Sequence, residues 1–307
     1  MKEVRDIAVL GAGAVGAVYG TMLQTAYPGR VTFVADAARA QRLAQNGLVV
    51  NGTEYKVNAA TPDTLERAPD LIIVAVKYHH LEQTVELIDA ARGENTAVLS
   101  VMNGIDSEEI IAQRIGMSHI LYGMALAIDA VRHNNEVSCS TTGTIHFGRA
   151  ENRTEDHTVA AVREALAGAG ISVEVPEDML RMLWWKFMIN IGMNQVSAVL
   201  GSPYREFQLN EHAIALSDRA MAECVAVAEK EGIALSAEDI ARWHEVLPRL
   251  APEGKTSMLQ DVEAERKTEV EMFAGQLLKR AEQHGISVPL NEALFHMIKL
   301  YEGRYGY

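Results

Sequence analysis

Cysteine is nearly absent from this chain of 307 residues, basic residues are outnumbered, and long apolar runs are missing. The two cysteines, Cys139 and Cys224, lie far apart and form no C-x-x-C pair. That excludes a disulfide framework and fits a reducing compartment. Twenty-eight Lys and Arg against 41 Asp and Glu give a formal net charge of −13, which argues against nucleic acid or an anionic membrane as partner. No apolar run reaches the roughly 18 residues that span a bilayer. Met1 leads almost directly into a strand-like run, leaving no room for a signal peptide, so a cytoplasmic location is expected. Histidines are scattered, and adjacent His79 and His80 on a helix would point about 100° apart, which is poor metal geometry; no metal site is expected. Repeats and low-complexity tracts are also missing. What remains is 48% hydrophobic and 22% charged, ordinary for a globular protein, in a length that suggests two domains.

The most informative stretch runs from Asp6 to Gly20. Ile7 to Leu10 reads as a buried parallel strand. It breaks at Gly11, and Val15, Val18, Tyr19 and Met22 then recur at helical spacing. Strand, glycine turn and helix start is the context required of a dinucleotide-binding G-x-G-x-x-G pattern. Within Gly11, Ala12, Gly13, Ala14, Val15 and Gly16, the first glycine allows the tight turn and the second a close pyrophosphate. The third allows helix–strand packing, and N–H groups at the helix start face the phosphates. Asp36, twenty residues after Gly16 at the end of a second strand (Val31–Ala35), can accept the adenosine ribose hydroxyls and repel a 2′-phosphate, favouring NAD(H). It can equally cap the following helix, and Arg39 and Arg42 nearby could neutralise a phosphate.

Further strands are predicted at Leu71–Val76, Ala97–Val101, Ile120–Ala127 and Ile171–Val175. Helices are predicted at His80–Ala91, Ser107–Arg114 and Thr158–Ala167. Hairpins are expected between Leu48–Val50 and Tyr55–Val57 across Asn51-Gly52, and between Glu136–Ser140 and Thr144–Phe147. The alternation implies an α/β fold with a doubly wound parallel sheet. After Pro176 strands vanish and long helical patterns follow: Asp178–Leu200, Asn210–Glu231, Ala237–Leu247, Ser257–Gln283 and Asn291–Tyr301. The expected division is 1–175 as the dinucleotide-binding domain and 176–307 as an all-helical C-terminal domain.

Two stretches of the helical half carry chemistry. At helical spacing Lys186, Asn190, Asn194 and Ser197 form one polar stripe on an otherwise apolar helix; such groups are costly to bury without partners. A solvated face would explain them too, but the other faces already are nearly all apolar, which favours a cleft-facing row. Ser257 with Gln260 fits a capping box, Glu269 falls three turns on near the same face, and Asp261 and Arg266 read as helix-surface or structural ion-pair residues rather than catalysts.

Gly11–Gly16, Lys77, Met102-Asn103-Gly104, Trp185-Lys186-x-x-x-Asn190-x-x-x-Asn194 and Thr256-Ser257-Met258-x-x-Asp261 through Arg266-x-Thr268-Glu269 together resemble the ketopantoate reductase (2-dehydropantoate 2-reductase) family over nearly the whole chain. The resemblance implies a Rossmann domain, a helical substrate and dimerisation domain, and an active site in the cleft between them. It implies NADPH as cofactor and reduction of a small 2-oxo acid in pantothenate and coenzyme A biosynthesis. Lys186 would be the proton donor. Asn103, Asn190, Asn194 and Ser257 would contact substrate or nicotinamide, and Lys77 and Glu269 would be cofactor-side residues. Apart from Arg266, set beside Asp261, no arginine falls in these motifs to grip a carboxylate, so the helix start at Ser257 is expected to aim N–H groups at it. The chain departs from the family pattern at Asp36, where arginine is common, at Tyr204, in place of an asparagine, and at His80, in place of a glutamine. A reductase for another small 2-oxo acid, an opine-type dehydrogenase and a non-catalytic NAD(P)-binding sensor remain as alternatives; the polar row around Lys186 speaks against the sensor.

Overall fold

A computed structural model describes residues 3–152 and 154–307; Met1, on which the absence of a signal peptide was argued, lies outside them. The chain divides into two compact units between Leu180 and Arg181. Four contacts keep Pro176 to Met179 with the first unit. The Pro176 carbonyl accepts from Asn152 Nδ2, the Glu177 carbonyl from the Asn152 N–H, Asp178 bridges Glu151, and Met179 N–H donates to the Ala150 carbonyl.

In chain order the first unit contains β1 (Ile7–Leu10), α1 (Ala14–Ala26), β2 (Val31–Val34), α2 (Ala37–Asn46), β3 (Leu48–Val50), β4 (Thr53–Tyr55), β5 (Asn58–Ala60) and β6 (Leu71–Val74). It continues with α3 (Leu81–Ala91), β7 (Ala97–Ser100), α4 (Ser107–Ile115), β8 (Ile120–Leu126), β9 (Asp129–His133), β10 (Glu136–Thr141), β11 (Thr144–Gly148), α5 (His157–Gly168) and β12 (Ser172–Glu174). The main sheet has the order β12-β11-β8-β7-β6-β1-β2-β5. From β8 to β5 every pairing is parallel, while β11 runs antiparallel to β8. β1, β6 and β7 are buried at every position, because helices cover both faces of a parallel sheet; that is why they read as unbroken apolar runs. The chain leaves β1 for β2 on one side and returns to β6 on the other. Ligands bind at the carboxyl ends of the strands at such a switch point.

The Asn51-Gly52 hairpin forms, with positive φ at both turn residues, as a type I′ turn requires. Its second strand begins at Thr53 rather than Tyr55, since a two-residue turn pairs Val50 with Thr53. The hairpin expected between Glu136–Ser140 and Thr144–Phe147 does not form. β10 instead pairs antiparallel with β9 and parallel with β3 in a separate four-stranded sheet, whereas β11 joins the main sheet. Polar β9, turning at Asn134 with φ of 53°, carried too little alternation to be read as the true partner.

The second unit is helical: α6 (Met179–Leu200, begun two residues before the division), α7 (Tyr204–Leu209), α8 (Glu211–Lys230), α9 (Ala237–Val246), α10 (Ser257–Glu263), α11 (Gln276–His284) and α12 (Pro289–Tyr305). The single helix expected over Ser257–Gln283 is three pieces. α10 ends after Glu263, Glu265 takes a positive φ of 52°, and Arg266 folds back, its N–H on the Asp261 carbonyl and its Nε on the Asp261 carboxylate at 2.9 Å. A π-helical turn over Glu271–Gly275 then leads into α11. No helix among the described residues is long and apolar enough to cross a membrane.

Candidate active site

In the first unit three loops meet the carboxyl ends of neighbouring strands. Gly11–Gly13 follows β1, Ala75–Lys77 follows β6, and Val101–Gly104 follows β7. Gly11 has a φ of +104°, and a Cβ there would run into the Ala75 carbonyl; a Cβ at Gly16 would run into the Gly11 carbonyl. Both positions therefore exclude side chains. A Cβ at Gly13 would meet nothing, so the space above the helix start is open. α1 begins there with no side-chain cap and no acidic residue in its first turn, leaving its N–H groups for an anion. This is the fit that a dinucleotide pyrophosphate demands.

Arg132, which the sequence did not single out, adds a cation at the turn. Its Nη1 donates to the Ala12 carbonyl and its Nε to the Asn134 carbonyl at 2.9 Å. The signal was hidden because Arg132 reaches the turn from the second sheet, over a hundred residues away in sequence. Asp36 takes the capping role foreseen for it, accepting the Arg39 N–H at 2.9 Å, with its other oxygen 3.5 Å from Arg39 Nε. Both side chains stay about half exposed, so lone pairs of the carboxylate face solvent. His80 lies within the field of Arg39, and partial burial, His79 and Arg39 all lower its pKa. Lys77 is exposed at the end of β6 and opens a short 3₁₀ turn. Asn103 is half-buried after β7.

Beneath the Asn103 loop lies a buried carboxylate, also missed, on the first turn of α4. Glu108 accepts from Ser107 Oγ at 2.7 Å and from Gly123 N–H at 3.2 Å, and Ser107 Oγ meets Ser100 Oγ at 2.8 Å. Ser100 Oγ accepts Met102 N–H at 3.4 Å. Burial pushes the Glu108 carboxyl up to about 7 against the lowering effect of these donors. The sequence offered only a glutamate in a helix first turn, where exposure is the usual reading.

In the second unit α6 is apolar nearly all round, and the polar stripe is not a solvated face: Asn194 and Ser197 are buried, Lys186 and Asn190 half-buried. Asn194 organises it. Its Nδ2 donates to Asn190 Oδ1 at 3.0 Å, and its Oδ1 accepts Ser257 Oγ at 3.1 Å and Met258 N–H at 3.3 Å. One turn on, Ser197 Oγ and Thr256 Oγ1 share a hydrogen bond. Thr256, not Ser257, caps α10, accepting Leu259 N–H at 3.3 Å. The expected capping box does not form, because the residue three after Thr256 is Leu259, which has no side-chain acceptor; the Ser257 hydroxyl is left for Asn194. The N–H groups of Met258 and Leu259 are engaged by Asn194 and Thr256, so these two are not the donors that a carboxylate would meet at this helix start. Burial lowers the Lys186 ammonium from its ordinary value to about 8, and the carboxylate of Glu269 opposes the fall. Glu269 itself is buried. Among the described residues no cluster of metal-ligating side chains occurs. Each unit thus gathers one group of the expected residues: Gly11–Gly16, Asp36, Lys77 and Asn103 at the strand ends, and Lys186, Asn190, Asn194, Ser257 and Glu269 about α6.

Both units of the chain match known proteins. Residues 7–152 match the family described as Ketopantoate reductase PanE/ApbA, and residues 178–302 its C-terminal counterpart. The 2-dehydropantoate 2-reductase of Salmonella typhi is 30% identical over 249 residues, covering 81% of this chain and 79% of its own length. That of Halobacterium salinarum is 25% identical, covering 96% of this chain and 98% of itself. Among solved structures, 2-dehydropantoate 2-reductase from Geobacter metallireducens superposes with a TM-score of 0.84 at 26% identity, over 96% of this chain and 99% of that one. D-mandelate dehydrogenase in complex with NADH and anilino(oxo)acetate superposes with a TM-score of 0.86 at 25% identity, over 98% of this chain and all of that one. With both halves matched in order and over most of their length, the chain belongs to the ketopantoate reductase family.

Proposed function

We propose that this protein reduces ketopantoate (2-dehydropantoate) to pantoate with a reduced nicotinamide cofactor. The observation that carries the reading is the polar row on α6, which begins at the Lys186 ammonium and includes, two turns on, an asparagine tied to Ser257. A nucleotide sensor has no use for it. Gly11, Ala12, Gly13, Ala14, Val15 and Gly16 hold the pyrophosphate through backbone N–H groups, and Lys77, Asn103 and Glu269 complete the cofactor contacts. The bound nicotinamide supplies the hydride. Lys186 Nζ hydrogen-bonds the ketone oxygen, stabilises the negative charge that grows there, and gives it a proton, leaving a neutral amine that recovers its proton from solvent. Its acidity near 8 suits it to donate at neutral pH while remaining mostly charged. Asn190 and Ser257 orient the substrate; Asn194 holds both and binds with its remaining N–H.

Asp36 favours NADH, since its free lone pairs suit ribose hydroxyls and its charge opposes a 2′-phosphate. Arg39 beside it softens that preference without reversing it. Support for NADH also comes from D-mandelate dehydrogenase, whose structure carries that cofactor.

The same likeness favours a second reading, a reductase of another 2-oxo acid, with Tyr204 in place of the family asparagine as the departure from pattern. The test is steady-state oxidation of NADH and NADPH against ketopantoate, its deoxy analogue 2-oxo-3,3-dimethylbutanoate, and phenylglyoxylate. Ketopantoate is expected to lead, with kcat/KM for the deoxy analogue lower by up to about 10⁴-fold, because a site built for the terminal hydroxyl leaves its own polar groups unpaired. Brisk turnover of phenylglyoxylate without ketopantoate turnover moves the protein to the second reading.

A further inference from the structure

Glu302 lies near the C-terminal end of α12, is wholly enclosed at 0% exposure, and belongs to none of the motifs above. An isolated buried carboxylate is costly, so its partners are informative. Its Oε1 accepts both the backbone N–H of Thr268 at 2.8 Å and the Thr268 hydroxyl at 2.6 Å. Its Oε2 accepts Lys299 Nζ at 2.5 Å, and the same ammonium reaches Glu271 Oε1 at 2.5 Å. Burial raises the Glu302 pKa, but the Lys299 and Thr268 bonds outweigh that and hold the carboxyl below its ordinary value, so it stays an anion.

Thr268 and Glu271 bracket Glu269. α12 therefore grips the chain one residue before that carboxylate and two residues after it. Between the two points the backbone does not run as an ordinary helix. The Glu269 carbonyl takes N–H groups from both Met272 and Phe273, Gly275 N–H reaches back to the Val270 carbonyl, and the π-helical turn starts at Glu271. A π-turn next to a buried carboxylate is a local conformation held by its surroundings, and such turns are frequent at functional sites. Thr268 Oγ1 also accepts Val270 N–H at 3.2 Å, so one hydroxyl links Glu302 to the start of the turn. The charged groups in this network are Lys299 and Glu302 on α12 and Glu271 on the turn, and the carboxylate between the two grips, Glu269, is the one whose field acts on Lys186.

We propose that Glu302 is a positioning residue: through Thr268, and with Lys299 on Glu271, it fixes the Glu269 carboxylate beside Lys186. The proposal rests on the reading of Lys186 as the proton donor for its catalytic consequence, but not for its geometry.

The test uses the full-length protein labelled with ¹³C at lysine, the Lys186 signal being assigned by its loss in Lys186→Arg. Thr268→Val keeps shape and backbone N–H but removes the hydroxyl bond to Glu302. The Lys186 titration midpoint is expected to drop by about 0.5–1 pH, and kcat at pH 8 to fall about twofold to fivefold, as loss of a well-placed opposite charge requires. Thr268→Ser is expected to restore both. Glu302→Gln, which sets an amide N–H₂ against Lys299, is expected to act like Thr268→Val; the Thr268 pair carries the test where Glu302→Gln does not fold. In a Glu269→Gln background Thr268→Val is expected to add nothing, because its route is already cut. An unmoved midpoint in Thr268→Val, or an equal further drop in the Glu269→Gln background, overturns the proposal. A midpoint that moves while the kcat profile stays fixed upholds the positioning role and removes Lys186 from the acid step.

Discussion

Glu269→Gln isolates the electrostatics of the proposed acid. In the wild type two opposed effects set the Lys186 ammonium near 8: burial drives it down from 10.5 and the Glu269 carboxylate holds it up. Gln preserves the size of the side chain and removes the charge, so only the burial effect remains and the pKa drops. An opposite charge at close range shifts a pKa by about one to three; an effect of about 1.5 places the variant near 6.5. A proton donor works in its charged form, so turnover in the reductive direction persists below the pKa and is lost as pH rises through it. At pH 7 about 90% of wild-type Lys186 is charged and about a quarter in the variant, a fall in kcat of about fourfold. At pH 5.5 the two converge. The assay is kcat from about pH 5.5 to 9.5 by loss of reduced-cofactor absorbance, with substrate and cofactor saturating at each pH. A basic limb that stays in place, or moves upward, refutes the argument.

The remaining predictions follow from the same geometry. Lys186→Ala is expected to lower kcat by about 10²–10⁴-fold with cofactor affinity kept, as read by fluorescence titration with NADH; a near-normal kcat at pH 7 removes it as the acid. Asp36→Arg is expected to shift the NADH to NADPH ratio of kcat/KM toward NADPH by about 5–150-fold, the yield of exchanging repulsion for attraction worth about 1–3 kcal/mol; an unchanged ratio moves phosphate discrimination to other residues. Glu108 titrates near 7 in the folded protein against 4.5 in the open chain. Its raised value means that stability is fully present below pH 4.5 and is lost as pH rises through 7. Glu108→Gln, which keeps an acceptor for Gly123 N–H while Ser107 can turn to accept, is therefore expected to raise the urea midpoint at pH 8 by about 2–3 kcal/mol of stability and to leave it unchanged near pH 4. Equal midpoints at pH 8 refute a buried charge there.

How much was legible depended on whether a residue's role is local. The glycine turn was readable because Gly11 and Gly16 are excluded from bearing a Cβ by atoms only a few residues or one strand away. The row on α6 was readable because helical spacing alone puts four polar groups on one face of an apolar rod. Asp36 was legible in both roles and fills the local one, since a cap needs only the next three residues. The break in the expected Ser257–Gln283 helix was not legible: Glu263 to Lys267 are good helix formers, and beside the local fold-back of Arg266 on Asp261 stands a tertiary contact, the hold of α12 on Thr268. Arg132 and Glu302 were missed for that same reason. Each acts at a place fixed by a chain segment far off in sequence.

That division follows from the two kinds of chemistry. Holding a pyrophosphate takes N–H groups, which every residue has, so the sequence need only keep side chains out of the way; the signature is glycine and survives in a single short stretch. Tuning an amine takes a desolvated ammonium and a carboxylate at a fixed distance, and neither can be supplied by backbone. A buried ammonium near 8 stands against its own charged form by about 3 kcal/mol, so the surroundings must be rigid enough to keep water out and its counter-charge near. A 22-residue apolar helix provides the first condition. For the second, Glu269 sits where α10 has already ended and α11 has not begun, in backbone with no regular ladder of its own. Its placement must come from elsewhere, and α12 is the element whose buried carboxylate and ammonium reach that segment on either side of it.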